Sequence, residues 1–221
     1  MTGEAAIGGP ILRHVSSPPT MPRRGRPPRH NRGDILNAAS EVMTFRGYQS
    51  TRYSDVAEAS GVPVASIQHH FPTLDVLRRE ALRNKVRAEL ASLAEQVMLI
   101  SDPWERVYHI IVTSVSLDPA RRRGGWVLWV EYWRAAAHDR SLAEDSREVN
   151  ALWLSLITEC IADGIEAGQF TPEGTAHEAA VELHSMLDGL GLHFVIEHSA
   201  DEAAEAIELL ERAARRMLRP R

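Results

Sequence analysis

The sequence predicts an all-α chain, with an N-terminal helix-turn-helix head and a C-terminal helical bundle, about nine helices together. Three observations carry this expectation. Apolar residues recur three and four apart, and no segment alternates with the period of two that a half-buried strand needs. Helix punctuation is frequent, with Thr73, Asp102-Pro103, Asp118-Pro119 and Ser141 before periodic runs and Gly47, Gly61 and Gly168 after them. Between Thr51 and Phe71 the stretch TRYSDVAEASGVPVASIQHHF reads as two short helices around a tight turn.

Residues 1–30 contain Gly, Pro, Ser and Arg with little to bury, which predicts a disordered basic tail. Within it, RRGRPPR places Arg23, Arg24, Arg26 and Arg29 on an extended segment similar to the AT-hook pattern. Such arms enter the narrow minor groove of A·T-rich DNA, where the negative potential is strongest. The plainer reading is a solvated tail that only adds nonspecific affinity. A first helix follows over Gly33–Arg46, with Ile35, Leu36, Ala39, Val42, Met43 and Phe45 at helical spacing.

The second and third helices span Tyr53–Ser60 and Val64–His70. Gly61 supplies the left-handed residue of the turn, and Pro63 opens the next helix, where its missing N–H is no loss. Val56, Ala57, Ser60, Val62 and Ile67 are small or branched and can pack together. Helix 3 is too short to stand alone, so its neighbours must hold it with one face outward. That is a helix-turn-helix, whose second helix enters a DNA major groove. Outward candidates are Val64, Ala65, Ser66, Gln68, His69 and His70. Gln68 can bond adenine bidentately, and Val64 or Ala65 can touch a thymine methyl. His69 and His70 diverge by roughly 100°, which argues against a shared metal.

The ordered set helix–Arg-Gly-Tyr–x–x–Thr–helix–Ser-Gly-Val–helix–His-Phe-Pro, over residues 33–80, closely resembles the TetR family of bacterial transcriptional regulators. The WVLWVEYW stretch resembles its BetI-type subgroup. The resemblance implies phosphate contacts from Thr51, Arg52 and Tyr53. It also implies a four-helix dimer interface from the last two helices, and repression relieved by a small molecule. The family's third helix usually starts with Ser, Lys and Gly and carries a Tyr-Tyr pair. Here Pro63, Val64, Ala65, Gln68 and His69 stand in those places, so the operator should differ from that of Lys- and Tyr-bearing relatives.

The fourth helix runs from Leu74, capped by Thr73, to about Ile100, and reads as a connector from the head (31–78) to a ligand-sensing and dimerisation body (79–221). Helix 5 starts at Asp102-Pro103 and helix 6 at Asp118-Pro119. Helix 7, with Ser141 as its cap, carries Leu152, Trp153, Leu156, Ile157, Ile161 and Ile165. Helix 8 runs from Pro172 to about Glu197, and helix 9 from Ala200 to about Leu218. On helix 6, Trp126, Trp129 and Trp133 fall at i, i+3 and i+7, on one face. Ordinary core packing accounts for such a stripe, and so does the wall of a ligand cavity. With Trp153 they predict a cavity between helices 5, 6, 7 and 8. Polar residues interrupt apolar runs at His109, Asn150, Glu159, Cys160, His184 and Asp188, where a satisfied buried group is the commoner case; His109, Glu131, Glu159, His184 and Asp188 are the candidate ligand contacts. Aromatic faces attract cations and a buried carboxylate needs a positive partner, so an organic cation with apolar bulk fits, as does a neutral apolar molecule. In helices 8 and 9, Ala180, Leu183, Leu187, Leu190, Leu192, Phe194, Ile207, Leu209, Leu210, Met217 and Leu218 exceed the needs of one protomer. A homodimer also doubles the DNA site that one short helix can read.

Composition narrows the classes. The 221 residues have a net charge of −5, yet residues 1–52 hold eight arginines against three acids, a basic head on an acidic body. One cysteine excludes an internal disulfide framework, and no apolar run of about 18 residues is present to cross a membrane. A cytoplasmic protein is expected. No Gly-rich phosphate loop, catalytic constellation or metal spacing stands out, so neither an enzyme nor a bound cofactor is expected. The leading expectation is a repressor released from double-stranded operator DNA by a small-molecule effector. The alternative is an effector-independent, architectural DNA-binding protein. An enclosed cavity with convergent polar groups in the body separates the two.

Overall fold

The computed structural model describes residues 31–116, 118–196 and 201–220, and holds nine helices and no strand among them. They are α1 (Arg32–Arg46), α2 (Tyr53–Ser60), α3 (Val64–His70), α4 (Leu74–Met98), α5 (Pro103–Val115), α6 (Pro119–Ala136), α7 (Arg140–Glu166), α8 (Ala176–Ile196) and α9 (Asp201–Leu218).

The head folds around α1. Asn31 Oδ1 accepts from Gly33 N–H at 3.2 Å, and the Asp34 carboxylate accepts from Asn31 N–H at 3.3 Å, so donors at the helix start are satisfied. Ile35, Leu36, Ala39, Val42 and Met43 are buried, but Phe45 is 88% exposed. The helical spacing that groups Phe45 with the core residues fails at the last turn, where α1 has run past its neighbours. Gly61 sits at φ 69°, a left-handed backbone that ends α2 without a Cβ clash.

Helix α4 spans roughly 37 Å at 1.5 Å per residue. Its Leu77, Ala81, Leu82, Val86, Leu90, Leu93 and Val97 form a continuous buried stripe. Its first turns belong to the head: Arg78 Nη2 donates to the carbonyls of Gln49 at 2.9 Å and Thr51 at 2.6 Å. One turn on, it engages α7. Arg83 Nη2 donates to Ser141 Oγ at 3.1 Å, and Arg87 Nε to Asp145 Oδ1 at 2.8 Å. Both pairs are 58 residues apart in sequence, so α4 and α7 run parallel and in register there. Asp145 is buried; its other oxygen lies 3.2 Å from Arg83 Nε and accepts from Tyr132 Oη of α6 at 2.6 Å.

Two helix starts differ from expectation. Ser141 does not cap α7; Asp139 does, accepting from Leu142 N–H at 3.0 Å, while Ser141 turns to Arg83. The acidic cap wins because its carboxylate also meets Arg79 at 3.3 Å. Helix α8 begins at Ala176, not Pro172. Thr175 and Glu178 close a reciprocal box there, Glu178 N–H to Thr175 Oγ1 at 3.1 Å and Thr175 N–H to Glu178 Oε2 at 2.7 Å.

The excess of apolar residues on α8 and α9 is smaller than expected. Ala180, Leu183, Leu187, Phe194, Ile207, Leu210 and Leu218 are buried within the protomer; Val181, Leu192 and Leu209 stay exposed. Gly191 of α8 holds α6 close, because a Cβ there would lie 2.1 Å from the Trp126 ring. Gly191→Ala is therefore expected to lower unfolding free energy by about 1–3 kcal/mol through overpacking. Gly125→Ala, where a Cβ meets nothing within 4 Å, should be neutral or raise it by up to about 1 kcal/mol. Urea denaturation of both variants checks this, and equal effects would contradict the close seat of the Trp126 ring.

Candidate functional site

Two surfaces qualify, one on the head and one inside the body. On the head, α3 is anchored by a single fully buried side chain, Ile67, packed in the core with Val56, Val62 and Phe71. Tyr53 Oη ties the ends of the unit together by donating to the Phe71 carbonyl at 2.7 Å. With Ile67 inward, Val64, Ala65, Ser66, Gln68, His69 and His70 all lie on the outer surface. Arg52 is exposed at the start of α2, its N–H donating to Asp55 at 2.9 Å. Thr51 is a correction. It is fully buried, its hydroxyl donates to the Gly47 carbonyl at 3.0 Å, and its own carbonyl accepts from Arg78. It braces the turn and cannot offer its side chain to a phosphate. Tyr53 is half-buried and its hydroxyl is committed to Phe71, so it too serves mainly as a brace. Arg23, Arg24, Arg26 and Arg29 lie outside the described residues.

The body holds a cavity of about 710 Å³, partly open to solvent and walled by α4, α5, α6, α7 and α8. Its aromatic wall is the α6 stripe. Trp129 and Trp133 have ring centroids 5.9 Å apart, Trp126 and Trp133 6.5 Å, and Trp153 from α7 closes on Trp129 at 6.4 Å. Trp126 is held by its Nε1–H, which donates to the Ser114 carbonyl at 3.1 Å. On α8, His184 stacks edge-on to Trp153 at 6.0 Å, and its Nδ1 lies 3.3 Å from Asp188 Oδ2. Both line the cavity. Burial raises the Asp188 pKa, and the His184 imidazole opposes that rise.

Five residues that the sequence offers as candidates, Trp129, Trp133, Trp153, His184 and Asp188, thus line one cavity. Three other candidates lie elsewhere. Glu131 is ion-paired to Arg134 at 2.8 Å and does not line the cavity, because it sits on another side of α6 from the Trp stripe. His109 stands behind the wall, 3.3 Å from Gln96 Oε1 and 3.4 Å from Thr113 Oγ1. Glu159 is exposed and accepts from Ser155 Oγ at 3.0 Å. Of the opposite wall, sequence reasoning singles out only Asn150 of α7; Glu89, Ser92 and Gln96 of α4 and Ser146 and Arg147 of α7 also line it. Their signal is a polar face at i, i+3, i+7 beside Leu93, indistinguishable in sequence from a solvated helix face.

Other chemistry is not assembled. Cys160 is buried, and desolvation pushes its thiol to about 11, far from the thiolate at neutral pH. Among the described residues no group of three or more potential metal ligands occurs, and no helix is long and apolar enough to cross a membrane.

Residues 35–81 match the family described as bacterial regulatory proteins, tetR family, and residues 103–219 match that of the BetI-type transcriptional repressor, C-terminal. The regulator BetI of Brucella anthropi is 25% identical over 191 residues, covering 86% of this chain and 94% of its own. The repressor KstR2 of Mycobacterium tuberculosis is 26% identical over 144 residues, covering 64% of this chain and 70% of its own. A putative transcriptional regulator from Saccharomonospora viridis, solved in complex with choline, superposes with a TM-score of 0.71 at 24% identity, over 81% of this chain and 92% of that one. FadR from Bacillus subtilis, solved with stearoyl-CoA, gives 0.60 at 18% identity, over 80% and 96%. With its exposed α3, its braced turn and both family matches, the chain belongs to the TetR family of DNA-binding transcriptional regulators and carries a BetI-type C-terminal domain.

Proposed function

We propose that this protein is a homodimeric repressor released from its operator by an organic cation with apolar bulk. The observation that carries the effector class is the wall of Trp126, Trp129, Trp133 and Trp153 with the Asp188 carboxylate beside it. Indole faces attract cations by about 0.5–2 kcal/mol each, and Asp188 adds the opposite charge. The choline bound by the Saccharomonospora regulator agrees with this class. A neutral apolar ligand is the second reading, supported by the same indole surface without the carboxylate. A cavity of about 710 Å³ with convergent polar groups supports an effector-responsive protein over an effector-independent one.

The dimer is formed by α8 and α9. The surface available is Val181 and Leu192 on α8 with Leu209 on α9, all exposed in the protomer. Two α3 helices then meet successive major grooves, about 34 Å apart. Effector binding shifts α4, which touches the cavity through Leu93 and holds the head through Arg78. The ligand must favour the released state by a few kcal/mol. The Arg23–Arg29 arm adds affinity on A·T-rich flanks.

Gln68→Ala should relax preference at one base position by roughly 1–3 kcal/mol. Arg52→Ala should weaken all sequences alike and flatten the salt dependence. Electrophoretic shifts against a selected operator check both, and wild-type binding by both variants would contradict the placement of α3 on DNA.

Leu192→Glu with Leu209→Glu should yield a folded monomer in sedimentation velocity. A dimer that survives both charges would place the interface elsewhere.

Alkyltrimethylammonium ions should quench tryptophan fluorescence saturably and release DNA, and Trp133→Ala should abolish both effects. Because burial raises the Asp188 pKa, lowering the pH through it removes the negative charge. Cation affinity should fall over that window, while affinity for a neutral ligand stays level. Quenching by neutral ligands alone would replace the cation reading with the apolar one.

A further inference from the structure

The polar wall opposite the tryptophans has no role in the reading above, and its position is specific. Helices α4 and α7 are zipped in register by Arg83–Ser141 and Arg87–Asp145. The same register sets Glu89 against Arg147, and there the zip ends: both residues line the cavity instead of joining each other. The helices fork at this level. Ser92 and Gln96 continue the α4 side, and Asn150 the α7 side.

Charges on the cavity wall are compensated unequally. Glu89 is paired with Lys85 at 3.2 Å on its own helix. The buried Arg122 donates to the Ser116 carbonyl at 2.9 Å and lies over the Phe194 ring at 5.2 Å. Arg147 is exposed, and among the described residues its guanidinium meets only the Ala143 carbonyl, at 3.3 Å. The fork therefore presents a guanidinium that, among the described residues, joins no ion pair, while Glu89 across from it is taken up by Lys85. At the tryptophan end, Asp188 presents a carboxylate whose Oδ2 lies 3.3 Å from His184 Nδ1. Along α7, Arg147 precedes Trp153 by six residues, roughly 9 Å of helix rise.

We infer that the fork of α4 and α7 is a second, anion-binding subsite of the effector cavity, with Arg147 as its specificity-determining residue. The effector class is then a zwitterion: a quaternary ammonium against the tryptophans and Asp188, and a carboxylate or similar anion at Arg147. This rests on the cation reading of the tryptophan wall proposed above. It explains why the cavity far exceeds a trimethylammonium group. It also places one end of the effector beside Glu89, Ser92 and Gln96 of α4, the helix that holds the head.

The test uses the purified full-length protein and a series of trimethylammonio-alkanoates, each compared with the carboxamide of the same length, titrated by tryptophan fluorescence. Affinity is expected to peak at about six methylenes, where the two charges are roughly 9 Å apart. At that length the carboxylate should bind about tenfold more tightly than its amide, a difference typical of one charge-assisted contact. Arg147→Met should erase this advantage, bringing carboxylate and amide to the same affinity, and an unchanged thermal melt by circular dichroism shows that the variant is folded. If carboxylate and amide bind alike, or the advantage survives in Arg147→Met, the fork subsite is overturned while the cation reading stands. If no member of the series binds, the cation reading itself falls, and the subsite with it.

Discussion

Asp145 sits almost out of water, and a carboxylate in that position cannot stand unpaired. It is held by Arg87 and Arg83 from α4 and by the Tyr132 phenol from α6, so one charge fixes three helices. Burial and the bond to Asp145 both raise the Tyr132 pKa, which keeps the phenol protonated as the donor the carboxylate requires. Removing a partner leaves Asp145 or the Tyr132 phenol with an unmet polar group in a poorly solvated place, while Arg83 and Arg87 keep one side open to water. The rest of the molecule is arranged about this knot. Above it, Arg78 carries α4 into the head; beyond it, α4 and α7 part to make the cavity.

The knot also touches the tryptophan wall of the cavity. Tyr132 meets Trp129 edge-on at 6.0 Å, and Ser146, next to Asp145, lines the cavity. A rearrangement of Trp129 therefore reaches α4 through a phenol and a carboxylate, without a long chain of soft apolar contacts. A second link joins body and head: Arg134 of α6 lies over the Tyr48 ring at 5.5 Å, as does Arg78 at 5.5 Å. Tyr48 is thus clasped by one arginine from each of the two helices that line the cavity and approach the head.

The head was legible because its signals are local. Gly61 and Pro63 mark the turn chemically, and α2 and α3 have the bounds their residues imply. Phe45 was misread because periodicity says which residues share a face, not where the neighbouring helix ends. At α7, Asp139 and Ser141 are both cap-forming residues two positions apart, and the choice was made by Arg79 of α4, a partner distant in sequence. The aromatic half of the cavity could be read because three tryptophans on one face are unusual in themselves. The polar half could not, since Glu89 or Arg147 looks like any solvated residue until the fork of two helices sets them face to face.

The seat of Trp126 on Gly191 has a consequence for the cavity. The indole is cavity wall on one side and packing partner on the other, and only a hydrogen fits beneath it. The two positions share a fixed volume across α6 and α8. A smaller residue at 126 widens the cavity and frees room at 191, and a side chain at 191 displaces the indole. Cavity shape and helix packing are therefore coupled at this pair, and a change at either position alone leaves the seat either hollow or strained.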